Sequence, residues 1–142
     1  VRKRLSKVRK TTLAARKRTL WRKFAAYVKE RDGNQCFTCD AAVSSYTRQA
    51  GHFFPAGAHS LIRYEPKNVH VQCARCNCFL GGNRYVYGLR FVERYGQPEY
   101  ERLERLSGVM KQWTRPEVDD MIEALKHGGA DYECLFAERY GL

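Results

Sequence analysis

Two short cysteine pairs, Cys36-Phe-Thr-Cys39 and Cys73-Ala-Arg-Cys76, bound the stretch of sequence that decides the fold. A structural zinc ion takes four ligands in a tetrahedron, and a Cys-x-x-Cys turn presents two thiolates to one ion. The two pairs therefore predict one zinc site made by all four cysteines. Such a site keeps no position open for a substrate, so we expect the zinc to hold the intervening segment in place.

Three polar residues lie inside or beside this stretch, and two of them, His52 and Asn77, could take part in hydrolysis of a phosphodiester. His52, in Gly51-His-Phe-Phe-Pro55, could take a proton from water, although a structural role is the alternative. Phosphodiester hydrolysis also needs charge stabilisation, usually by a divalent cation. Asn77 could offer a neutral oxygen to Mg²⁺, or it could instead make hydrogen bonds at a helix end. Asn68 suits a role in fixing a turn through side-chain to backbone hydrogen bonds.

Two more histidines leave several roles open. His70 could be a metal ligand, could orient another ligand, or could pack as a strand residue. His59 lies in a Gly-Ala-His loop, where phosphate contact or metal support are alternatives to a structural role.

The excess positive charge lies at the N-terminus. The whole chain of 142 residues has a formal net charge of +11, and residues 1–31 contain 13 Lys and Arg against the single acid Glu30. Clustered cations gain affinity for polyanions by releasing counterions, so we expect this segment to bind nucleic-acid phosphates. A solvated tail that aids solubility is the alternative. The residues predicted to contact DNA are Arg2, Lys3, Arg4, Lys7, Arg9, Lys10, Arg16, Lys17, Arg18, Arg22 and Lys23.

Periodicity and turn residues divide the chain into four parts within an α+β protein. A basic flexible arm is predicted over 1–11. The next part, 12–34, contains a basic amphipathic helix that is predicted over about 12–31. A zinc-bound core over 35–82 has strand-like segments at 35–37, 46–54, 61–64 and 68–72, then a short helix over 73–80. The section over 83–142 is helical, with helices over about 83–95 and 97–106, another starting at Thr114-Arg-Pro-Glu117, and a last one over 132–140.

The same sequence argues against a membrane or secreted protein. No apolar run reaches the ~18 residues that a membrane span needs, and the basic N-terminus precedes no signal-peptide apolar segment. Four of the six cysteines fall into tight pairs, which favours metal over disulfides. We therefore expect an intracellular protein. Because the sequence begins at Val1, we also expect it to be part of a longer chain.

The order of these motifs is similar to known nucleases. Cys-x-x-Cys, Gly-His-x-x-Pro, Asn and Cys-x-x-Cys-Asn resemble the HNH motif, a ββα-metal (His-Me finger) core with a treble-clef zinc knuckle. The phage NinG/Rap recombination family is similar at further points over about residues 12–127. They are Trp21-x-x-Phe24 through Tyr27-x-x-x-Arg31-Asp32, Ala50-Gly-His-Phe53, Gly57-Ala-His59, Asn68-Val-His-Val-Gln-Cys73 through Cys76-Asn77, Gly82-Asn83, and Tyr87 to Tyr95-Gly96.

This resemblance implies a structure-specific endonuclease that cuts branched DNA, such as Holliday junctions and D-loops, with Mg²⁺ or Mn²⁺. His52 would match the general base, Asn68 the central asparagine and Asn77 the metal-binding end of the motif. Many HNH enzymes carry Asp, Glu or His immediately before the base, whereas this chain has Gly51. His59 and His70 are the nearby substitutes for that metal ligand. Two symmetric cuts in a junction would be easiest for a homodimer.

Two other functions compete with catalysis. Gly51 also fits a non-catalytic zinc-finger protein that binds DNA or RNA and has lost the catalytic metal site. A structural component of a larger nucleoprotein assembly is the third alternative.

Overall fold

The computed structural model describes residues 11–141. This part of the chain combines five α-helices with one two-stranded sheet, which confirms the mixed, helix-rich composition predicted from the sequence. None of its helices has the length and apolar character needed to cross a membrane. The elements are α1 (Leu13–Asp32), β1 (Gln49–His52), β2 (Val69–Gln72), α2 (Arg84–Tyr95), α3 (Gln97–Ser107), α4 (Arg115–His127) and α5 (Gly129–Tyr140).

Helix α1 is the element against which the sheet and the C-terminal helices pack. It starts where the Thr12 hydroxyl accepts a hydrogen bond from the Ala15 amide, and it ends at Gly33, whose φ of 73° favours glycine. Its fully buried side chains recur every four residues, so they form one apolar stripe. They are Leu20, Phe24 and Val28.

The last turn of α1 is joined directly to β2. The Arg31 guanidinium donates to the backbone carbonyls of Pro66, at 2.8 Å, and Val69, at 2.7 Å. The Asp32 carboxylate accepts a hydrogen bond from the Val71 amide at 2.8 Å. These bonds fix the position of the strand relative to the basic helix.

Strands β1 and β2 pair in antiparallel register, and the register decides which side chains meet. Gly51 lies opposite His70, and His52 lies opposite Val69. Because side chains alternate across a strand, Gly51, His70 and Gln72 share one face while His52 belongs to the other. Helix α1 packs near the His52 face through Trp21, whereas Tyr87 of α2 lies against the Gly51 face.

Three short segments differ from the sequence-based expectation. Leu61–Tyr64 is a 3₁₀ helix and not a strand, which lets three of its four side chains enter the core. Gln35–Phe37 forms one isolated bridge, from Gln35 to Ala42, because the chain turns back at the first cysteine pair. Within the predicted helix 73–80, residues Arg75–Phe79 form a π-helical turn, which is followed by Gly81 and Gly82, both with positive φ.

The C-terminal helices close the core from the other side of α1. Helix α4 begins with a capping box in which Thr114 and Glu117 satisfy each other's backbone amides. Helix α5 starts at Gly129, three residues earlier than expected. A side chain is excluded there, since a Cβ on Gly129 would lie 2.3 Å from the Tyr27 ring of α1. The helical section predicted over 83–142 thus packs onto the same core as α1.

Candidate active site and metal centre

The two cysteine pairs come together as one cluster. The sulfurs of Cys36, Cys39, Cys73 and Cys76 all lie within 4.8 Å of one another. The Cys39 and Cys73 sulfurs are 3.8 Å apart, which is close to the ~3.8 Å that tetrahedral Zn–S bonds of about 2.3 Å require. The four thiols could therefore hold one zinc ion, as the spacing predicts.

The cluster has its own electrostatic environment. Burial raises the pKa of Cys36, but hydrogen bonds from the Thr38 hydroxyl and from nearby backbone amides outweigh it and lower that pKa to about 6. Burial and the neighbouring sulfurs raise the pKa of Cys39 to about 12. Zinc binds thiolates, so metal binding would release protons from this cluster.

The His52 side chain, at the end of β1, contacts the Trp21 ring and the backbone carbonyl of Arg63. Its imidazole stacks on Trp21 with ring centroids 5.0 Å apart and 18° between the planes. Its Nε2 lies 2.9 Å from the Arg63 carbonyl oxygen. A carbonyl can only accept, so Nε2 carries the proton and Nδ1 of the neutral ring keeps a lone pair. Burial lowers the pKa of His52, which favours this neutral form.

Asn68 is completely buried and ties together the loop that supplies the Arg63 carbonyl. Its Oδ1 accepts from the Phe54 amide at 2.8 Å, and its Nδ2 donates to the carbonyls of Phe54 and Ile62, both at 3.0 Å. The carboxamide therefore fixes both ends of the segment that follows His52. This geometry gives Asn68 a positioning role next to the candidate base.

Asn77 lies in the π-helical turn after the second cysteine pair. Its Nδ2 donates to Gln49 Oε1 at 2.8 Å, so Oδ1 is directed elsewhere. A Cβ built on Gly51 would lie 2.9 Å from that Oδ1 and only 1.9 Å from Gln72 Oε1. The structure thus places Asn77 beside Gly51 together with Gln72, a residue that the sequence-based argument did not select.

His70 is engaged on both ring nitrogens. Nδ1 lies 2.9 Å from the Tyr87 hydroxyl and Nε2 lies 2.8 Å from the Tyr95 hydroxyl. The Tyr87 hydroxyl also donates to the Gly51 carbonyl, so it accepts from His70 Nδ1. Burial lowers the pKa of His70 well below its ordinary value, and the ring is neutral. Neither ring nitrogen is left for a metal, and the structure places His70 as a buried residue of β2 that bonds to two tyrosine hydroxyls.

His59 is attached to a different part of the molecule. Its Nδ1 is 2.8 Å from the Ser107 carbonyl at the end of α3, and its ring packs edge-on against Phe54. The hydrogen bond and the ring contact anchor the loop after β1 to the helical section.

The basic face of α1 surrounds Trp21. Arg16 is paired with Asp119 at 2.7 Å, which neutralises it in part. Within residues 11–141, no salt bridge is found for Lys17, Arg18, Arg22 or Lys23, and Arg18 and Arg22 are exposed. The remaining predicted DNA contacts, and most of the basic arm over 1–11, lie outside the described residues. They are Arg2, Lys3, Arg4, Lys7, Arg9 and Lys10.

Comparisons with known proteins give the chain its family. The sequence matches the model of one family, described as Bacteriophage Lambda NinG protein, over residues 1–131. It is 31% identical to protein ninG of Escherichia phage lambda over 133 residues, which are 89% of this chain and 60% of that relative. For protein ninG of Salmonella phage P22 the identity is 32% over 117 residues, 78% of this chain and 56% of the relative.

Protein ninG of Escherichia phage 933W is 33% identical over 104 residues, 69% of this chain and 50% of the relative. The chain spans between half and three-fifths of the length of these relatives. No solved structure matches it. The family match covers most of the chain, including α1, both cysteine pairs and His52, and the protein belongs to the bacteriophage lambda NinG family.

Proposed function

We propose that this protein is a metal-dependent endonuclease of the HNH type that cuts branched DNA. The observation that carries the proposal is the state of His52. Its Nε2–H is committed to the Arg63 carbonyl, and its Nδ1 is left with a lone pair in a ring whose pKa is lowered by burial. A neutral imidazole fixed in one tautomer is what a general base for water requires.

The surrounding residues support an HNH-like arrangement. His52 ends the first strand of an antiparallel pair, and Asn68 holds the loop that returns to the second strand. The second strand leads directly into the second cysteine pair and Asn77. In the proposed core, zinc held by the four cysteines would fasten this pair of strands to the π-helical turn.

The proposed reaction is hydrolysis of a DNA phosphodiester. His52 Nδ1 takes one proton from a water molecule, whose oxygen forms a bond to phosphorus. The bond from phosphorus to the 3′-oxygen breaks, and that oxygen leaves with the electron pair and gains a proton from solvent. Bound Mg²⁺ or Mn²⁺ would stabilise charge on the scissile phosphate and the departing oxygen. Asn77 is the predicted side chain to hold that cation in part through its Oδ1.

The basic helix supports nucleic-acid binding next to this base. Arg18 and Arg22 are exposed on α1 one turn apart, and Trp21 of the same helix stacks on His52. Phosphates bound along α1 would therefore pass close to the proposed base. Phosphate contacts carry little sequence information, so selectivity should follow the shape of the DNA.

Cleavage of a labelled four-way junction would test this function. The zinc-loaded protein should nick the junction when Mg²⁺ or Mn²⁺ is added, and should leave it intact in a buffer that contains zinc alone. A linear duplex of the same sequence should be cut more slowly. Equal cutting of both substrates would contradict the branch preference, and cleavage without added cation would contradict the metal requirement.

The second candidate function is a zinc-finger protein that binds nucleic acid without cutting it. Gly51 favours it, because this position offers no side chain to a cation. Binding to the junction with no cleavage under any cation condition would support this function over catalysis.

A further inference from the structure

Gln72 carries a buried polar atom without a partner. Its side chain is fully buried at the end of β2, and within the described part of the chain its Oε1 makes no hydrogen bond. The orientation of the amide is fixed by its other end. Nε2 donates to the Gly82 carbonyl at 2.9 Å and approaches the Thr38 hydroxyl at 3.3 Å. The Gly82 carbonyl can only accept, so the amide nitrogen of Gln72 must face it and the amide oxygen faces the opposite side.

That opposite side is the space beside Gly51. A Cβ on Gly51 would lie 1.9 Å from Gln72 Oε1 and 2.9 Å from Asn77 Oδ1. Both carboxamide oxygens therefore face the point that a side chain at position 51 would occupy. Asn77 is held in this orientation by its bond from Nδ2 to Gln49 Oε1. Any residue larger than glycine would displace the Gln72 oxygen.

We propose that Gln72 Oε1 and Asn77 Oδ1 together hold the divalent cation, with Gln72 supplying the ligand that position 51 lacks. The proposal rests on the function proposed above. Oxygen ligands suit Mg²⁺ and Mn²⁺, and Mg²⁺ in proteins keeps several waters and takes few protein ligands. A buried oxygen with no partner costs free energy, and coordination of a cation would remove that cost. Gly51 precedes His52, so the cation would lie one position from His52 along the strand, on the face opposite to the one to which the His52 side chain belongs.

Both ligands are neutral, so the site itself contributes no negative charge. Affinity for the free cation should therefore be weak, and DNA phosphates would provide the missing charge. An added carboxylate at position 77 should consequently tighten binding without DNA. The neighbouring Gln49 amide can rotate to donate to that carboxylate, because its Oε1 now accepts from Asn77.

Mn²⁺ binding by the zinc-loaded protein, followed by the loss of the free-Mn²⁺ electron paramagnetic resonance signal, tests the proposal without DNA or cleavage. Gln72→Met keeps the length of the side chain and removes the oxygen, and it should weaken Mn²⁺ binding by ~10-fold or more. Asn77→Asp should tighten it on the order of 10-fold. Gly57→Ala is the matched control, since a Cβ there meets no atom within 4 Å, and it should change nothing.

Each outcome decides the proposal. Unchanged Mn²⁺ binding in a folded Gln72→Met variant would overturn it and would mean that Gln72 Oε1 meets only a buried water. Should Gln72→Met fail to fold, an unchanged affinity in Asn77→Asp would overturn it equally. If Gln72→Met still cuts the junction and binds Mn²⁺ as the wild type does, the proposed ligand role of Gln72 is wrong but the proposed endonuclease function is not. If Mn²⁺ binding depends on Gln72 and the protein cuts no DNA, the proposed cation site is supported and the proposed endonuclease function is wrong.

Discussion

At the residue scale, two contacts from different parts of the chain determine the tautomer and the burial of the His52 ring. The Arg63 carbonyl selects the tautomer, and Trp21 covers one face of the ring. The covered ring has a pKa below its ordinary value of 6.5, because burial disfavours the charged imidazolium. The neutral form of the His52 ring therefore persists to lower pH than the neutral form of an exposed histidine.

The first prediction concerns the pH dependence of cleavage. The rate should fall on the acidic side only as His52 becomes protonated, which is below the ordinary pKa of 6.5. Trp21→Ala exposes the ring and should move this acidic limb to higher pH, toward 6.5. Trp21→Phe keeps an aromatic cover and should shift it less. The measurement is a single-turnover rate profile from pH 5 to 8, and an identical limb in all three proteins would contradict the assignment.

The second prediction concerns Asn68. Asn68→Ala leaves the buried Phe54 amide and the Phe54 and Ile62 carbonyls without this partner. The free energy of unfolding should fall by about 1–3 kcal/mol or more, because unpaired buried polar groups are costly. Urea denaturation measures this change. Asn34→Ala, at an exposed residue, is the control and should have a small effect. A loss no larger than that of the control would argue against the positioning role.

At the scale of elements, α1 combines support for the core with a cationic surface. Its buried stripe contacts the C-terminal helices, while its last turn holds β2 through Arg31 and Asp32. Lys17, Arg18, Arg22 and Lys23, for which no salt bridge is found within residues 11–141, lie on the same helix as Trp21. The proposed phosphate-binding cations and the candidate base therefore belong to neighbouring parts of the same surface, because Trp21 of α1 stacks on His52.

The third prediction is that α1 contributes to the salt dependence of DNA binding. Replacing Arg18 and Arg22 with Gln should reduce the slope of log K against log salt by about two, since each lost phosphate contact removes roughly 0.9. The matched control replaces Lys126 and Arg139 with Gln, which removes the same net charge from α4 and α5. These two side chains are paired with Glu123 and Asp120. Fluorescence anisotropy over a salt series measures both slopes. An equal decrease in the control would assign the effect to net charge alone.

Several elements could be predicted because their signals are local. Thr12 and Gly33 bound α1, and Thr114 and Glu117 start α4, all within a few residues of the helix ends. The 3₁₀ helix at Leu61–Tyr64 was missed because its apolar residues resemble a strand. The buried Asn68 carboxamide, which binds the Ile62 carbonyl, stabilises the turn instead.

In the candidate site, too, the residues with a local sequence signal could be predicted and those that depend on the fold could not. Cysteine pairs and their spacing identify a cluster without any knowledge of the fold. Gln72 could not be selected this way, because its role depends on the strand register, on the Gly82 carbonyl and on the space left by Gly51. One available signal was that Gln72 follows His70 by two positions, and so lies on the same strand face as Gly51.

At the scale of the whole molecule, one core joins all the elements. Buried residues from α1, the loop after β1, β2 and the four later helices belong to a single cluster. The four cysteines lie in the turn before β1 and the turn after β2, so one zinc ion held by all four would join these two turns. Loss of zinc should therefore affect the strand pair that carries His52 first.

The fourth prediction follows from that connection. A strong zinc chelator should release one zinc ion per chain, lower the melting temperature and change the far-UV circular dichroism spectrum. Added zinc should restore all three properties. Cys134→Ser replaces an exposed cysteine outside the cluster and should behave as the wild type. An intact spectrum and melting temperature after complete zinc removal would contradict a structural role for the cluster.

The most direct test of the central claim is the single-turnover rate of four-way junction cleavage in Mn²⁺ for the wild type and His52→Ala. His127→Ala, which removes an exposed histidine of α4, is the control. We expect His52→Ala to bind the junction normally and to cut it ~10²–10⁴-fold more slowly, whereas the control should cut at the wild-type rate. Equal rates for the wild type and His52→Ala would show that His52 is not the base.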